Sequence, residues 1–341
     1  MKPEKILVTG GTGYIGSHTV VELIGSGYET VLIDNLSNSR IEVLDGIQQI
    51  TGTRPAFEQF DLRDLIKLRD CCRKHAGIRA VVHFAALKAV GESVEKPLEY
   101  YSNNLVSLIN LLEIMKECRI PNMVFSSSCT VYGQPDTLPV TENSPVKPAA
   151  SPYGNTKQIS EEIIRDTVAA SADIRAISLR YFNPIGAHAS ALIGELPSGT
   201  PLNLVPYITQ TAIGLRDHLR IFGTDYDTPD GSGIRDYINV VDLARAHVKA
   251  IDRLLKGEGK SPCEVFNLGT GSGLSVLEIV QAFEKATGQK VRCKIYPRRP
   301  GDIAQVYADT SLANRELGWI ADTPLSHTLL SAWNWEKNVR A

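Results

Sequence analysis

A tyrosine and a lysine stand four residues apart in the stretch SPYGNTKQI, residues 151–159. If the segment is helical, Tyr153 and Lys157 lie one turn apart on the same face. The Ser-Pro pair before them has the form of a helix start, with Ser151 as N-cap and Pro152 in the first position. A free phenol titrates near pH ~10, too high for a base at neutral pH. An ammonium beside it stabilises the phenolate and lowers that value. The pair is therefore a candidate acid–base. Spacing alone decides little, because Tyr and Lys often meet at this interval by chance.

A second constellation lies near the N-terminus, in ILVTGGTGYIGSHTVVEL. An apolar strand runs into a glycine-rich turn and then a helix. Gly10, Gly13 and Gly16 are spaced three apart, and Gly11-x-Gly13-x-x-Gly16 also satisfies the dinucleotide fingerprint. Such glycines allow a tight turn and let the backbone approach a pyrophosphate at a helix N-terminus. The next strand, TVLIDN, ends on Asp34. A carboxylate there accepts both ribose hydroxyls and repels a 2′-phosphate, which favours NAD over NADP. Asp61, closing a third strand in FDLRD, is compatible with capping a helix at 62 and equally with meeting an adenine.

The elements that would carry these residues alternate. KILVTG (5–10), TVLID (30–34), AFEQFD (56–61), AVVHFAA (80–86), NMVFSSS (122–128) and IRAISLRYF (174–182) read as strands. Amphipathic segments at 14–25, 62–76, 97–118 and 152–171 read as helices between them. Val- and Ile-rich strands alternating with helices predict an α/β fold of the Rossmann type, a doubly wound parallel sheet. After Phe182 the chain turns Gly/Pro-rich and aperiodic, then resumes with CEVFNLG (263–269) and a helix at 275–287. We expect an NAD-binding domain over 1–182 and a smaller, partly intertwined substrate domain over 183–341. The stretch 233–255 is expected to return a strand and a helix to the main sheet.

Composition is ordinary for a globular chain: 43% hydrophobic, 22% charged and a net charge of -2. No basic run points to nucleic acid, and no apolar run approaches the ~18 residues of a membrane span. The start MKPEK leads directly into ILV, leaving no room for a signal peptide. Six cysteines without a C-x-x-C or a His-Cys metal spacing suggest reduced thiols in a cytoplasmic protein and no metal.

With TGGTGYIG, a strand ending on Ser128 in FSSS, and the Tyr153-x-x-x-Lys157 pair, the sequence resembles the extended short-chain dehydrogenase/reductase family. HFAALKAVGESVEKPLEYYSNN (83–104), FSSSCTVYG (125–133), LRYFNPIGAH (179–188), PLNLVPYI (201–208), IFGTDYDTPDGSGIRDYI (221–238) and RRPGD (298–302) resemble its nucleotide-sugar 4-epimerase branch almost from end to end. The resemblance implies interconversion of UDP-galactose and UDP-glucose with tightly bound NAD, in a homodimer paired through 97–118 and 152–171. It implies Tyr153 as the base at the 4-hydroxyl, Lys157 as the group that lowers its pKa, and Ser128 as a hydrogen-bond partner of the same sugar oxygen. Around NAD it places Tyr14 and Ile15 beside the glycines, Asp34, Asn35, Asn38 and Ser39 at the adenosine ribose, and Asp61 and Leu62 at adenine. Phe84, Ala85, Lys88, Asn103 and Tyr181 complete that set. Around the UDP-sugar it places Lys88, Asn183, Asn203, Leu204, Phe222, Arg235, Arg299 and Asp302.

Other readings stay open at this point. A dehydratase of the family would carry an Asp-Glu pair where this chain has Cys129-Thr130. Epimerisation of N-acetylated UDP-hexosamines depends on the room left by Val306, an intermediate side chain at a position that bulky aromatics close. A non-catalytic NAD or nucleotide-sugar sensor would have no reason to keep Ser128, Tyr153 and Lys157 together.

Overall fold

The structure, a computed structural model, describes residues 3–299 and 302–341; Pro300 and Gly301 of the RRPGD turn, and Met1 and Lys2 of MKPEK, lie outside the described residues. Elements are numbered in chain order. The main sheet is seven-stranded and parallel, built from β1 (Lys5–Thr9), β2 (Glu29–Asp34), β3 (Ala56–Gln59), β4 (Ile78–His83), β5 (Asn122–Ser128), β6 (Arg175–Tyr181) and β10 (Cys263–Leu268). Their order across the sheet is β10-β6-β5-β4-β1-β2-β3. The direction of winding reverses between β1 and β4, and a doubly wound sheet opens its ligand crevice at the carboxyl ends of the strands flanking such a point.

The strands read as unbroken apolar runs because both faces are covered. Ile6 and Val8 point to one face and meet α1 (Tyr14–Gly25), α2 (Val43–Thr51) and α8 (Val240–Lys256) through Val20, Leu23, Ile47 and Leu243. Leu7 points to the other and meets α3 (Leu65–Lys74), α5 (Pro97–Glu117) and α6 (Pro152–Ala169) through Leu68, Leu108, Leu111 and Ile164. Each such fully buried side chain contributes about 1.5–3 kcal/mol. Between β4 and α5 lies the short α4 (Val90–Glu95).

A smaller lobe has its own core of Val205, Ile208, Ile221, Ile279, Phe283, Leu329 and Trp333. Its sheet gathers β7 (Asn183–Ile185), β11 (Gly273–Ser275) and β13 (Gln305–Val306) around β9 (Ile234–Asn239). A two-stranded ribbon, β8 (Leu219–Phe222) with β12 (Cys293–Tyr296), completes the strands. Helices α7 (Leu204–Ala212), α9 (Val276–Thr287) and α11 (Leu325–Arg340) complete the small lobe, while α10 (Ser311–Glu316) packs on the main core through Ala313.

Two expectations need correction. The strand at 234–239 does not return to the main sheet; it is the centre of the small one, while β10 pairs with β6 and completes the main sheet. Only α8 of the 233–255 stretch packs on the larger layer. Asp61 does not cap a helix at 62, because α3 begins at Leu65 and Asp64 caps it by accepting the Lys67 N–H at 3.1 Å.

Candidate active site

The glycine-rich turn is built for close backbone approach. Gly10 has φ +70, and a Cβ there would sit 2.8 Å from the Ala85 nitrogen, in the loop after β4. A Cβ on Gly16 would lie 2.1 Å from the Gly10 carbonyl oxygen. These contacts fold the loop under the N-terminus of α1, whose first turn has no side-chain cap. Its free N–H groups suit an anion. Asp34, at the end of β2, accepts the Thr12 N–H at 3.2 Å and the Ser39 hydroxyl at 3.1 Å, so the acid is fixed beside the turn. Asn35 donates to Asp61 at 3.2 Å, and Arg63 grips the same carboxylate through two nitrogens at 3.0 and 2.8 Å. Those bonds pull the Asp61 carboxyl down to about 2. Leu62 is buried and Asn38 exposed, each adjoining this cluster in the chain. A cradle that side chains would fill, an uncapped helix end and a carboxylate fixed at the end of β2 fit a dinucleotide.

Below the cradle, Phe84 lies against the buried His247 ring of α8 at 4.8 Å, and Tyr181 against the same ring at 5.8 Å. Burial pulls His247 down to about 4, so it stays neutral and apolar in effect. Tyr14 donates to the Gly186 carbonyl at 2.7 Å, tying α1 to the loop that opens the small lobe, and Ile15 packs on the main core.

The acid–base pair sits where strand ends meet α6. Ser151 caps that helix, accepting the Gly154 N–H at 3.2 Å, and Pro152 occupies its first turn. Tyr153 and Lys157 face β5. The Lys157 ammonium donates to the Ser126 carbonyl at 2.6 Å and lies 4.9 Å over the Phe125 ring and 5.9 Å from the Tyr153 ring centroid. Lys157 is 5% exposed, and burial lowers its pKa to about 8. Ser128 ends β5, caps the following helical turn by accepting the Thr130 N–H at 3.3 Å, and pulls the Tyr153 pKa down. Even so, burial pushes the half-buried Tyr153 up to about 12. The lowering expected from Lys157 does not offset this burial, and the phenol is held in its neutral form.

Across the crevice, Arg299 pairs with Asp302 at 2.9 Å and lies 4.9 Å over the Phe222 ring. Arg235 reaches Asp302 at 3.9 Å. Asn183 is held in β7 beside Tyr237 of β9, and Asn203 precedes α7, which starts at Leu204 without a side-chain cap. Val306 pairs with Arg235 across β13 and β9 and is buried against a cluster containing Val131, Tyr132 and Phe182. Three positioning residues escaped the sequence reading. Glu195 joins Lys88 at 3.3 Å to Asn203 at 2.6 Å, and Trp335 of α11 anchors its backbone by donating to the Glu195 carbonyl at 2.9 Å. Glu195 lies in the aperiodic stretch, where no spacing marks it. Asn104, next to Asn103, binds both backbone groups of Leu87, at 2.8 and 3.0 Å, and so holds the Lys88 loop. Among the described residues no group of His, Cys, Asp and Glu could hold a metal ion.

Comparison with known proteins places this arrangement. A family model described as GDP-mannose 4,6 dehydratase matches residues 7–330. The UDP-glucose 4-epimerase of Mus musculus is 52% identical over 98% of this chain and 97% of its own length. The chain belongs to the UDP-glucose 4-epimerase family. Within that family, the enzyme from Haemophilus influenzae is 51% identical, again over 98% of this chain and 97% of its own. The UDP-glucose 4-epimerase structure from Stenotrophomonas maltophila, with bound NAD and formylated UDP-arabinopyranose, superposes with a TM-score of 0.95 at 49% identity, covering 99% of both chains. That from Bifidobacterium longum, in complex with NAD+ and UDP, gives 0.94 at 47%, covering 98% of both.

Proposed function

We propose that this protein is an NAD-dependent UDP-glucose 4-epimerase, interconverting UDP-galactose and UDP-glucose. The observation that carries the reading is Tyr153, Lys157 and Ser128 converging beside a dinucleotide cradle, in a chain whose relatives bear that activity throughout their length. A neutral sugar C–H is too weak an acid for direct inversion, so the centre must be oxidised and re-reduced. Held in the cradle of Gly10, Gly13 and Gly16, NAD would supply the oxidant for C4 and, once reduced, the reductant that restores it. Tyr153 takes the 4-hydroxyl proton as the ketone forms and gives it back on reduction. Lys157 supplies the positive charge that a phenolate at this buried position needs, and Ser128 orients the sugar oxygen. The planar 4-keto sugar must present its other face before reduction, so binding belongs on the nucleotide rather than on the sugar.

The proposed anchors follow that logic. Gly10, Gly13, Tyr14, Ile15, Gly16, Asp34, Asn35, Asn38, Ser39, Asp61, Leu62, Phe84, Ala85, Lys88, Asn103 and Tyr181 would surround NAD with the catalytic pair. Arg235 and Arg299 suit the diphosphate, Phe222 offers a face to uracil, and Asp302 suits the uridine ribose, with Asn183, Asn203 and Leu204 along the diphosphate-sugar. The cofactor lobe would comprise 1–182 joined by α8, β10 and α10, and the UDP-sugar lobe the remainder. Dehydration is disfavoured because Cys129, its thiol pushed up to about 11 by burial, and Thr130 stand where a carboxylic acid and its partner are needed.

The test is turnover of UDP-galactose to UDP-glucose by purified protein with no cofactor added. Turnover is the expected result, since a retained cofactor is regenerated in every cycle; no turnover even with NAD supplied would refute the reading. We further propose a cytoplasmic homodimer. Leu98, Val106 and Ile109 expose 82%, 39% and 41% of their surfaces along α5, an apolar face that a second copy would cover. Light scattering should give twice the chain mass, and Ile109→Glu should return the monomer.

A further inference from the structure

Glu161 and Arg180 are charged residues that the fold largely withdraws from solvent. Their side chains are 11% and 7% exposed. Arg180 of β6 grips Glu161 of α6 with two nitrogens, at 2.9 and 2.5 Å. Ser127 adds a bond to the same carboxylate at 2.5 Å, and Arg180 also donates to the Tyr132 hydroxyl at 3.0 Å. On α6, Glu161 lies one turn beyond Lys157, which lies one turn beyond Tyr153, so the three share a face. The two bonds fall on consecutive residues of β5: Ser126 receives the Lys157 ammonium and Ser127 binds Glu161. A fully hydrogen-bonded ion pair is therefore fixed one helical turn behind the ammonium that the proposed chemistry requires.

We propose that the Glu161–Arg180 pair is a positioning element for Lys157, with Glu161 holding the ammonium in its charged form and Arg180 limiting that pull. The inference rests on the proposed acid–base role of Tyr153 and Lys157. Charges one helical turn apart and this poorly solvated interact more strongly than they would in water. The other titratable groups around Lys157 do not duplicate the effect. Tyr153 and Tyr181 are both raised by burial and stay neutral, and burial pulls His83 of β4 down to about 3, so it is uncharged as well. Burial lowers Lys157 and the Glu161 charge raises it, in the sense the proposal requires.

The two members of the pair make opposite predictions. Glu161→Gln leaves Arg180 as an uncompensated cation, so Lys157 should lose its proton about one pH unit lower. Arg180→Gln leaves Glu161 as an uncompensated anion, so Lys157 should lose its proton at higher pH by a similar margin. Arg180→Lys keeps the charge and should restore the native value. The direct readout is the Lys157 resonance in protein labelled with 13C at the lysine Cε, identified by its absence in Lys157→Met and titrated in each variant. The alkaline limb of kcat against pH should move in the same directions. Shifts of opposite sign support the proposal. Shifts of one sign in both Gln variants, or none, overturn it, because simple loosening of the fold has no sign. If Glu161→Gln does not fold, Arg180→Gln against Arg180→Lys still decides, since only the first should raise the titration. Wild-type protein that fails to turn over UDP-galactose would refute the catalytic reading, and the resonance titration would still test the pair.

Discussion

Replacing Tyr153 with phenylalanine is expected to lower kcat for UDP-galactose by about three orders of magnitude, the middle of the range for losing a general acid–base. The fold should survive. Tyr153 is only half-buried, and its backbone carbonyl, which accepts the Thr156 hydroxyl at 2.7 Å, is untouched by the change. The phenol oxygen contributes about 1 kcal/mol through its hydrogen bond, so Tm should move by no more than a few degrees. Retained NAD, measured by absorbance after denaturation, should match the wild type. The combination is diagnostic, because an intact, loaded and inactive protein locates the defect in proton transfer. A sensor that had kept the fold would lose nothing by this change. Since burial above all pushes this phenol up to about 12, a phenolate here depends on the positive charge of Lys157. Lys157→Met should therefore depress turnover to a similar degree.

The second large effect concerns Gly16. An alanine Cβ there would stand 2.1 Å from the Gly10 oxygen, 3.0 Å from the Gly10 carbonyl carbon and 3.1 Å from Gly11 Cα. All three are backbone atoms of the turn itself, with no flexible side chain to give way. The turn must open, at a cost of about 1–3 kcal/mol for overpacking, and the N–H groups that would meet a pyrophosphate move with it. Gly16→Ala should thus purify with little or no NAD and melt a few degrees lower. Gly25, the last residue of the same helix, has nothing within 4 Å of a built Cβ. Gly25→Ala should bind NAD normally and gain a few tenths to about 1 kcal/mol from reduced chain entropy. Equal behaviour of the two variants would show that the Gly16 contact does not govern the site.

Much of this organisation is visible in the chain before folding. The bounds of β5 at 122–128 and α1 at 14–25 coincide with the apolar run and the helical period, because local pattern and tertiary burial agree there. Ser151 and Pro152 mark the start of α6 by chemistry that acts within one turn. What sequence does not specify is which sheet a short strand joins. DYIN and EVFNL are alike in composition, and only packing sends β9 to the small sheet and β10 to the large one. The helix at 43–51 is hidden by Gly46, which is there because a Cβ would come within 2.7 Å of the Leu192 carbonyl across the fold. The buried pair of Glu161 and Arg180 carries no local sign of burial either. Spacing brought Tyr153 and Lys157 to notice, but spacing takes no account of desolvation, and burial shifts the phenol in the direction opposite to the one expected.

The most direct test of the central claim, a hydride removed from C4 and returned within one closed site, uses UDP-galactose deuterated at C4. The protein is supplied with that substrate and no added cofactor, and the UDP-glucose formed is examined by NMR and mass spectrometry. Full retention of deuterium at C4, with kcat lowered by the heavier isotope if hydride transfer limits the rate, is the predicted result. UDP-glucose carrying hydrogen from water at C4 would contradict it, since the C4–H bond would then have broken by loss of a proton.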